Sequence, residues 1–189
     1  MPTHIIAITG SLRAHSRTEL VAHTALRGAI YPEVTTEVLN LHTLQLPLFD
    51  NRADVDTYPA AVWHFLEQIR HAAGFLFVAP VYHGTVSGAF KNALDFLHLA
   101  EPDAYQGKVV GLISVAGGAM SVNTINTLDY IARALHLWRV PTTVAVPGAA
   151  ITPEGTLGDP DIERRLSTLG AEVCRATQVL LDTPVIEYH

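Results

Sequence analysis

Cysteine, lysine and charged residues in general are scarce in this sequence of 189 residues. The only cysteine, Cys174, excludes an internal disulfide and a cysteine-rich metal site. Lysine occurs only at Lys91 and Lys108, and the formal net charge is −6. Nonspecific nucleic-acid binding requires a basic face that displaces counterions, so this composition argues against a nucleic-acid partner.

Long apolar runs are absent as well. No run reaches the roughly 18 residues that span a bilayer, and the first residues lack the basic and apolar regions of a signal peptide. We therefore expect a cytoplasmic protein with no membrane partner. The ten histidines show neither H-x-x-x-H nor H-E-x-x-H spacing, so we expect no metal site. Apolar residues are plentiful at 49%, enough for the core of one domain over residues 1–189.

Segments typical of strands and helices alternate along the chain. Short apolar segments predict five strands, at residues 4–9, 35–41, 74–80, 108–117 and 139–147. Helical spacing predicts five helices, at residues 17–30, 60–72, 87–100, 123–137 and 159–182. Ser87 and Asp159 are the expected N-caps of the third and fifth helices. The stretch 42–59, rich in Asp, Pro and Asn, is expected to be a long connection.

This alternation predicts an α/β fold in which helices cover both faces of a parallel sheet. Ligands of such open sheets bind beyond the carboxyl ends of the strands. The informative stretches are therefore those that follow the strands: GSLRAHS, HTLQLPLFDNRADVD, PVYHGTVSG and AGGAMSVN.

The first of these stretches, residues 10–16, is called the first loop below. A helix N-terminus behind a turn that begins at Gly10 offers unpaired N–H groups and the positive end of a dipole. Ser11 and Ser16 add hydroxyls and Arg13 adds a charge, which together predict a site for one phosphate. Ser16-x-x-Glu19 is also a capping box, which requires no ligand. Arg13 favours the phosphate, because a cap needs no cation at the positive end of a dipole.

The stretch after the third predicted strand places Tyr82 and His83 between Pro80 and Gly84. Its aromatic ring or its backbone amides could lie against a flat ring. Alternatively, it is an ordinary strand-to-helix connection in which Tyr82 fills a gap. The paired glycines after the fourth predicted strand allow a close approach of backbone to a ligand, or serve a tight turn.

Together these stretches resemble the NADPH-dependent FMN reductase family, a flavodoxin-like group. G-S-x-R-x-x-S, P-x-Y-x(5)-G-x-x-K-N-x-x-D and the double glycine follow one another in the right order over most of the chain. The resemblance implies a three-layer sandwich with strand order 2-1-3-4-5 and FMN as the cofactor. It also implies hydride transfer from NADPH or NADH to a flavin, quinone, azo or oxyanion acceptor. Both substrates would share the open flavin face in a ping-pong scheme.

The resemblance also implies cofactor-binding residues and, because the flavin carries the chemistry, no catalytic side chain. Those expected on the phosphate side are Ser11, Arg13 and Ser16, which would hold the FMN phosphate, together with Arg17 and Thr18. Those expected around the ring are Pro80, Val81, Tyr82, His83, Gly84, Ala116, Gly117 and Gly118. Backbone amides after the third strand are expected to face the flavin. Arg17, or an arginine of a neighbouring subunit, is the expected partner of the 2′-phosphate of NADPH.

Two residues depart from the family pattern. Thr18 stands where members commonly have asparagine, and its hydroxyl can still donate to phosphate. His83 stands where members often have asparagine. It either titrates near the flavin at neutral pH or serves as a neutral donor in place of the amide.

Two other classes of function remain open at this point. One is an electron carrier or another flavin-binding protein without turnover, and the other is a protein that kept the fold and lost the flavin. A carrier usually has an acidic docking face and holds the flavin between aromatic rings. The modest charge and the single loop tyrosine favour the enzyme.

Four further expectations concern residues outside these loops. The predicted helices 87–100 and 123–137 are apolar around much of their circumference, which with the resemblance predicts a homodimer or homotetramer. Lys91 and Asp95 are spaced for an ion pair or a subunit contact. The aspartates at 50, 54 and 56 are expected to be solvated, and Cys174 to be buried.

Overall fold

Five parallel strands form the centre of the structure, a computed structural model that describes residues 3–116 and 121–182. The strands are β1 (Thr3–Thr9), β2 (Val34–Asn40), β3 (Gly74–Pro80), β4 (Val109–Ala116) and β5 (Trp138–Pro147). They are hydrogen-bonded in the order β2-β1-β3-β4-β5. This is the strand order of the flavodoxin-like doubly wound fold, so the predicted fold class is confirmed.

Helices cover both faces of the sheet. They are α1 (Arg17–Leu26), α2 (Leu41–Leu44), α3 (Ala60–His71), α4 (Gly88–Asp95), α5 (Ser121–Ala134) and α6 (Pro160–Asp182). One buried core joins the sheet to α1 and α6, and the other joins it to α3, α4 and α5. No helix within the described ranges combines the length and the apolar character of a membrane span.

Burial of the strands follows their place in the sheet. Every residue of β3 and β4 is buried, as continuous apolar strands of a two-sided sheet should be. β2 and β5 form the edges, and β2 exposes its middle residues. The expectation of burial on both faces therefore holds for the centre of the sheet only.

Two predicted helices are shorter than expected, and a third, α5, begins two residues earlier and ends three residues earlier than the predicted 123–137. α1 ends at Leu26 rather than residue 30, because the Gly28 amide donates to Ala25 O at 3.0 Å and tightens the last turn. α4 ends at Asp95 and continues as a 3₁₀ turn, Phe96–Leu99, where the His98 ring donates to the Asp95 carbonyl.

The expected connection 42–59 is not wholly irregular, because α2 overlaps its start and a second 3₁₀ turn, Val55–Thr57, lies near its end. Both expected N-caps are confirmed. Ser87 Oγ accepts from the Phe90 amide, and Asp159 Oδ1 accepts from two amides of the first turn of α6.

Glycines let α1 and α6 approach closely. A Cβ placed on Gly170 of α6 would lie 1.9 Å from Ala25 O, and one on Gly28 would lie 1.8 Å from Ser167 O. Cys174 is fully buried in the same helix, as expected, and this burial raises the pKa of its thiol. This close packing holds α1 and α6 together on one face of the sheet. The N-terminus of α1 lies directly after the first loop.

Candidate flavin-binding site

A cavity of about 680 Å³ lies at the carboxyl ends of the strands. Its walls come from the segments that follow β1, β3 and β5 and from the end of β4. Because the strands are parallel, these four segments meet at the same end of the sheet, where the topology predicts a ligand.

Gly10 closes β1 where three elements meet. Its amide donates to Val78 O at 2.9 Å. A Cβ at this position would lie 2.8 Å from Phe90 Cβ and 3.0 Å from Pro80 Cδ. The glycine is needed because α4 and the end of β3 approach the first loop too closely for a side chain.

The first loop presents a row of amides without protein partners. Only the Arg13 amide bonds within it, donating to Ser11 Oγ at 3.2 Å. Within residues 3–116 and 121–182, the amides of Ser11, Leu12, Ala14, His15, Ser16, Arg17 and Thr18 donate to no protein acceptor. With the dipole of α1 behind them, these amides form a site suited to an anion.

Half of the expected capping box is formed. Ser16 Oγ accepts from the Glu19 amide at 3.2 Å and lies 2.8 Å from Thr18 Oγ1. The reciprocal bond, from the Ser16 amide to the Glu19 side chain, is missing from the described contacts. Capping therefore uses one hydroxyl and leaves the amides of this turn for a ligand.

The charge around the cavity is of one sign. Arg13 and Arg17 line it and are exposed to solvent. None of its lining residues, within the part of the chain that the structure describes, is acidic. Cations beside unpaired amides favour a phosphate over a neutral or cationic ligand.

The loop after β3 forms a two-residue turn. The Tyr82 amide donates to Thr85 O at 2.9 Å, and the Thr85 amide donates to Tyr82 O at 3.1 Å. His83 and Gly84, at the centre of this turn, have φ values of 52° and 82°. Two consecutive positive φ angles are the requirement of a type I′ turn, in which asparagine followed by glycine is preferred. Asparagine in the family pattern and histidine here thus share a tolerance of this backbone conformation.

Not every residue predicted for the ring side lines the cavity. Pro80, Val81, Tyr82 and Ala116 line it, whereas His83 and Gly84 do not. Gly117 and Gly118 lie outside the described residues. All five residues predicted for the phosphate side line the cavity: Ser11, Arg13, Ser16, Arg17 and Thr18.

The amides after β3 are only partly available to a ligand. The Val81 amide donates to Val115 O at 2.9 Å, and the Tyr82 amide closes the turn. The amides of His83 and Gly84 have no acceptor within the described ranges. An amide contact from this loop to a flavin would therefore come from the turn residues themselves.

One wall of the cavity, formed by residues after β5, was not predicted from the sequence. The segment after β5 folds into a small hairpin, residues 151–157, in which Ile151 pairs with Leu157. Ile151, Thr152, Pro153 and Gly155 line the cavity. The signal was available, because this segment also follows a strand, but it carries no side chain that suggests chemistry.

The connection after β2 contributes structure rather than site residues. Asp50 pairs with Arg52 at 2.7 Å and accepts from Tyr58 Oη at 2.6 Å. Both contacts hold the pKa of the Asp50 carboxyl far below its usual range. All three aspartates, Asp50, Asp54 and Asp56, are exposed as expected, and Asp50 in addition forms an ion pair with Arg52. No group of side chains suited to a metal ion occurs in the described segments.

Comparison with known proteins decides the family. The family described as NADPH-dependent FMN reductase matches residues 3–150. The chain belongs to this family. It is 32% identical to the NADPH-dependent FMN reductase ArsH of Acidithiobacillus ferrooxidans over 150 residues, which cover 78% of this chain and 61% of that protein. It is 28% identical to the NADPH azoreductase of Bacillus sp. (strain OY1-2), with 82% of each chain covered.

The fold of the family is found in solved structures. FerB, a flavoenzyme NAD(P)H:(acceptor) oxidoreductase from Paracoccus denitrificans, superposes with a TM-score of 0.74 over 94% of this chain and 98% of that one. The two sequences are 18% identical, so this likeness shows the fold alone. The chain spans about 60% of the length of the ArsH proteins it matches.

Proposed function

We propose that this chain is an FMN-dependent NAD(P)H oxidoreductase formed by one FMN-binding domain. The observation that carries the proposal is the row of unpaired amides in the first loop, set beside Arg13 in a cavity without acidic lining in the described chain. The cavity of about 680 Å³ lies within the usual range for ligand pockets, about 300–1,000 Å³. Membership of the family and the names of its relatives support the same cofactor.

Residues of the first loop would hold the FMN phosphate. The free amides of residues 14–18 and the Ser11 hydroxyl would donate to its oxygens, and Arg13 and Arg17 would balance its charge. Pro80, Val81 and Tyr82 would lie along the ring, with the His83 and Gly84 amides as available donors. FMN, when bound, supplies the hydride chemistry, and the protein supplies position and charge.

One aromatic side chain, Tyr82, lines the described cavity, and it is 48% exposed. A ring held from one side leaves its other face accessible. We therefore propose that the dinucleotide and the acceptor use that face in turn, which is a ping-pong scheme. A carrier that encloses its flavin between two aromatic rings is less compatible with this lining. The acceptor is proposed as a flavin, quinone, azo compound or oxyanion.

Exposed apolar side chains support a homodimer or homotetramer. α4 buries its apolar residues within the monomer, contrary to what its sequence suggested. Leu12, Leu48, Val122 and Tyr130 are at least 60% exposed. Elution as a monomer at micromolar concentration would count against this part of the proposal.

A reducing cytoplasm is compatible with the single thiol.

The proposal is tested by titrating the purified protein with FMN and with riboflavin, which lacks the phosphate. We expect FMN to bind at least tenfold more tightly, since charge-assisted hydrogen bonds contribute about 1.5–3 kcal/mol. Arg13→Ala should reduce this preference. Arg70→Ala is the matched control, because Arg70 lies at the end of α3, near the amino ends of β3 and β4 and away from the cavity.

Activity is measured in the same samples. NADPH should bleach the flavin absorbance, and air or a quinone should restore it. FMN binding without NADPH oxidation would favour the carrier. Equal affinity for the two flavins would overturn the assignment of the first loop to phosphate.

A further inference from the structure

The carbonyl groups of the first loop are held by side chains from other parts of the chain. Leu12 O accepts from the ring of His42 at 2.9 Å, and Gly10 O accepts from Ser87 Oγ at 2.5 Å. A loop that binds an anion through its amides must direct its carbonyl oxygens elsewhere, because their dipoles repel the anion. His42 and Ser87 therefore hold the carbonyl groups of the loop, which would otherwise repel a bound phosphate.

The cavity lining shows which way the loop is turned. Ser11 and Arg13 line the cavity, whereas Leu12 between them does not. Leu12 instead lines a separate apolar groove together with Leu41 and Leu48. His42 is outside the cavity lining too, so the bond to Leu12 O lies behind the loop.

The bond fixes the protonation of one ring nitrogen. A carbonyl oxygen can only accept, so Nδ1 of His42 carries the hydrogen. That hydrogen is present both in the neutral Nδ1–H tautomer and in the imidazolium ion. The contact with Leu12 O therefore persists whether or not Nε2 is protonated.

The backbone of His42 is itself firmly placed. Its amide donates to Asn40 Oδ1 at 2.9 Å in the first turn of α2. The preceding residue, Leu41, is buried in the core. Leu12, by contrast, is 60% exposed, so its own side chain anchors the loop only weakly. His42 thus joins the tip of the first loop to α2, beside the core residue Leu41.

We propose that His42 is a positioning residue for the FMN phosphate. Its ring holds the Leu12 carbonyl behind the loop and so keeps the neighbouring amides directed at the cavity. This inference rests on the proposed function, because it assigns His42 a part in the same site. Ser87 acts in the same way on Gly10, but it is buried and also caps α4. Replacing Ser87 would disturb the fold, so His42 is the residue to test.

The test compares FMN and riboflavin affinities of the wild type, His42→Ala and His42→Asn by fluorescence titration. In His42→Ala, we expect FMN to bind about tenfold more weakly and riboflavin to bind unchanged, since one hydrogen bond is lost. His42→Asn should recover most of the FMN affinity, because its amide nitrogen takes the place of Nδ1. His64→Ala, an exposed histidine of α3, is the control.

Two results for His42→Ala would overturn the inference alone. One is FMN affinity in His42→Ala equal to that of His64→Ala, and the other is an equal loss for both flavins. His42→Asn as weak as His42→Ala would also contradict the hydrogen bond. A wild type that binds FMN no more tightly than riboflavin would overturn the proposed function, and this inference with it. ¹⁵N spectra of the apoprotein give an independent readout, in which a hydrogen on Nε2 alone would be contradictory.

Discussion

Asn92 of α4 holds Phe49, 43 residues away, by accepting a hydrogen bond from its amide at 2.8 Å. The other end of the same side chain donates to Pro47 O at 2.8 Å. Both groups of the amide are thus used on the connection after β2. The asparagine of the K-N motif is therefore a structural clamp, which explains its presence without any contact to the cavity.

Replacing Asn92 tests this clamp. Asn92→Ala should lower the free energy of unfolding by about 1–3 kcal/mol, because two backbone groups lose their partner. Lys91→Ala is the control. It removes an exposed ion pair with Asp95, worth about 0.5 kcal/mol or less. Urea unfolding measures both, and an equal effect of the two substitutions would contradict the clamp.

His83 tests whether the turn after β3 needs a backbone conformation or an imidazole. His83→Asn and His83→Gly should preserve stability and flavin affinity, since both residues adopt positive φ readily. His83→Val should cost about 1–2 kcal/mol, because a left-handed conformation is unfavourable for a β-branched residue. Thermal unfolding and FMN titration are the measurements. Loss of FMN binding in all three variants would indicate a chemical role for the ring.

Arg17 tests the choice of nicotinamide cofactor. It is exposed at the first residue of α1 and lines the cavity. With saturating FMN, Arg17→Ala should reduce the ratio of kcat/KM for NADPH to that for NADH by about tenfold, the loss of one charge-assisted bond. An unchanged ratio would remove Arg17 as the partner of the 2′-phosphate. Arg70→Ala should leave the ratio unaltered.

At position 170, helix propensity favours alanine, whereas packing favours the glycine that is present. Alanine is favoured over glycine in a helix by about 1 kcal/mol, but here its Cβ would lie 1.9 Å from the Ala25 carbonyl oxygen. We expect Gly170→Ala to destabilise the protein by about 1–3 kcal/mol or more. Gly88→Ala, with open space around its Cβ, should be neutral or stabilising. Equal melting temperatures for the two variants would contradict the close approach of α1 and α6.

The features that the sequence predicted well are those set by local interactions. The caps at Ser87 and Asp159 depend on neighbours in the chain, and the buried central strands are marked by continuous apolar segments of the sequence. The first loop belongs to this group, because a helix N-terminus exposes its amides whatever lies around it. The ends of α1 and α4 were predicted wrongly although local contacts set them, because apolar spacing does not reveal the tightened turn at Gly28 or the His98 contact with Asp95.

Features of the site that depend on distant contacts could not be predicted. The hairpin 151–157 lines the cavity with Ile151, Thr152, Pro153 and Gly155, none of which marks a ligand site in a sequence. His42 meets Leu12 across 30 residues, and only the folded chain shows that contact. The turn at His83 was predictable in principle, since histidine followed by glycine can replace asparagine followed by glycine at positive φ.

Lys108 provides a test of burial far from the cavity. Its Nζ donates to the carbonyls of Ile69 and Arg70, at 3.1 and 3.0 Å, at the end of α3. Burial lowers the pKa of Lys108 to about 8, from an ordinary value of 10.5. Between these two values the unfolded chain binds more protons than the folded one, so this group adds stability as the pH rises.

We expect the free energy of unfolding of the wild type, relative to Lys108→Met, to increase from pH 8 to pH 10.5. Lys91→Met, at the only other lysine, should follow the wild type over this range. Urea unfolding across the range measures the difference. If the unfolding free energy of the wild type minus that of Lys108→Met stays constant or falls as the pH rises, the ammonium group keeps its charge, held by the two carbonyls of α3.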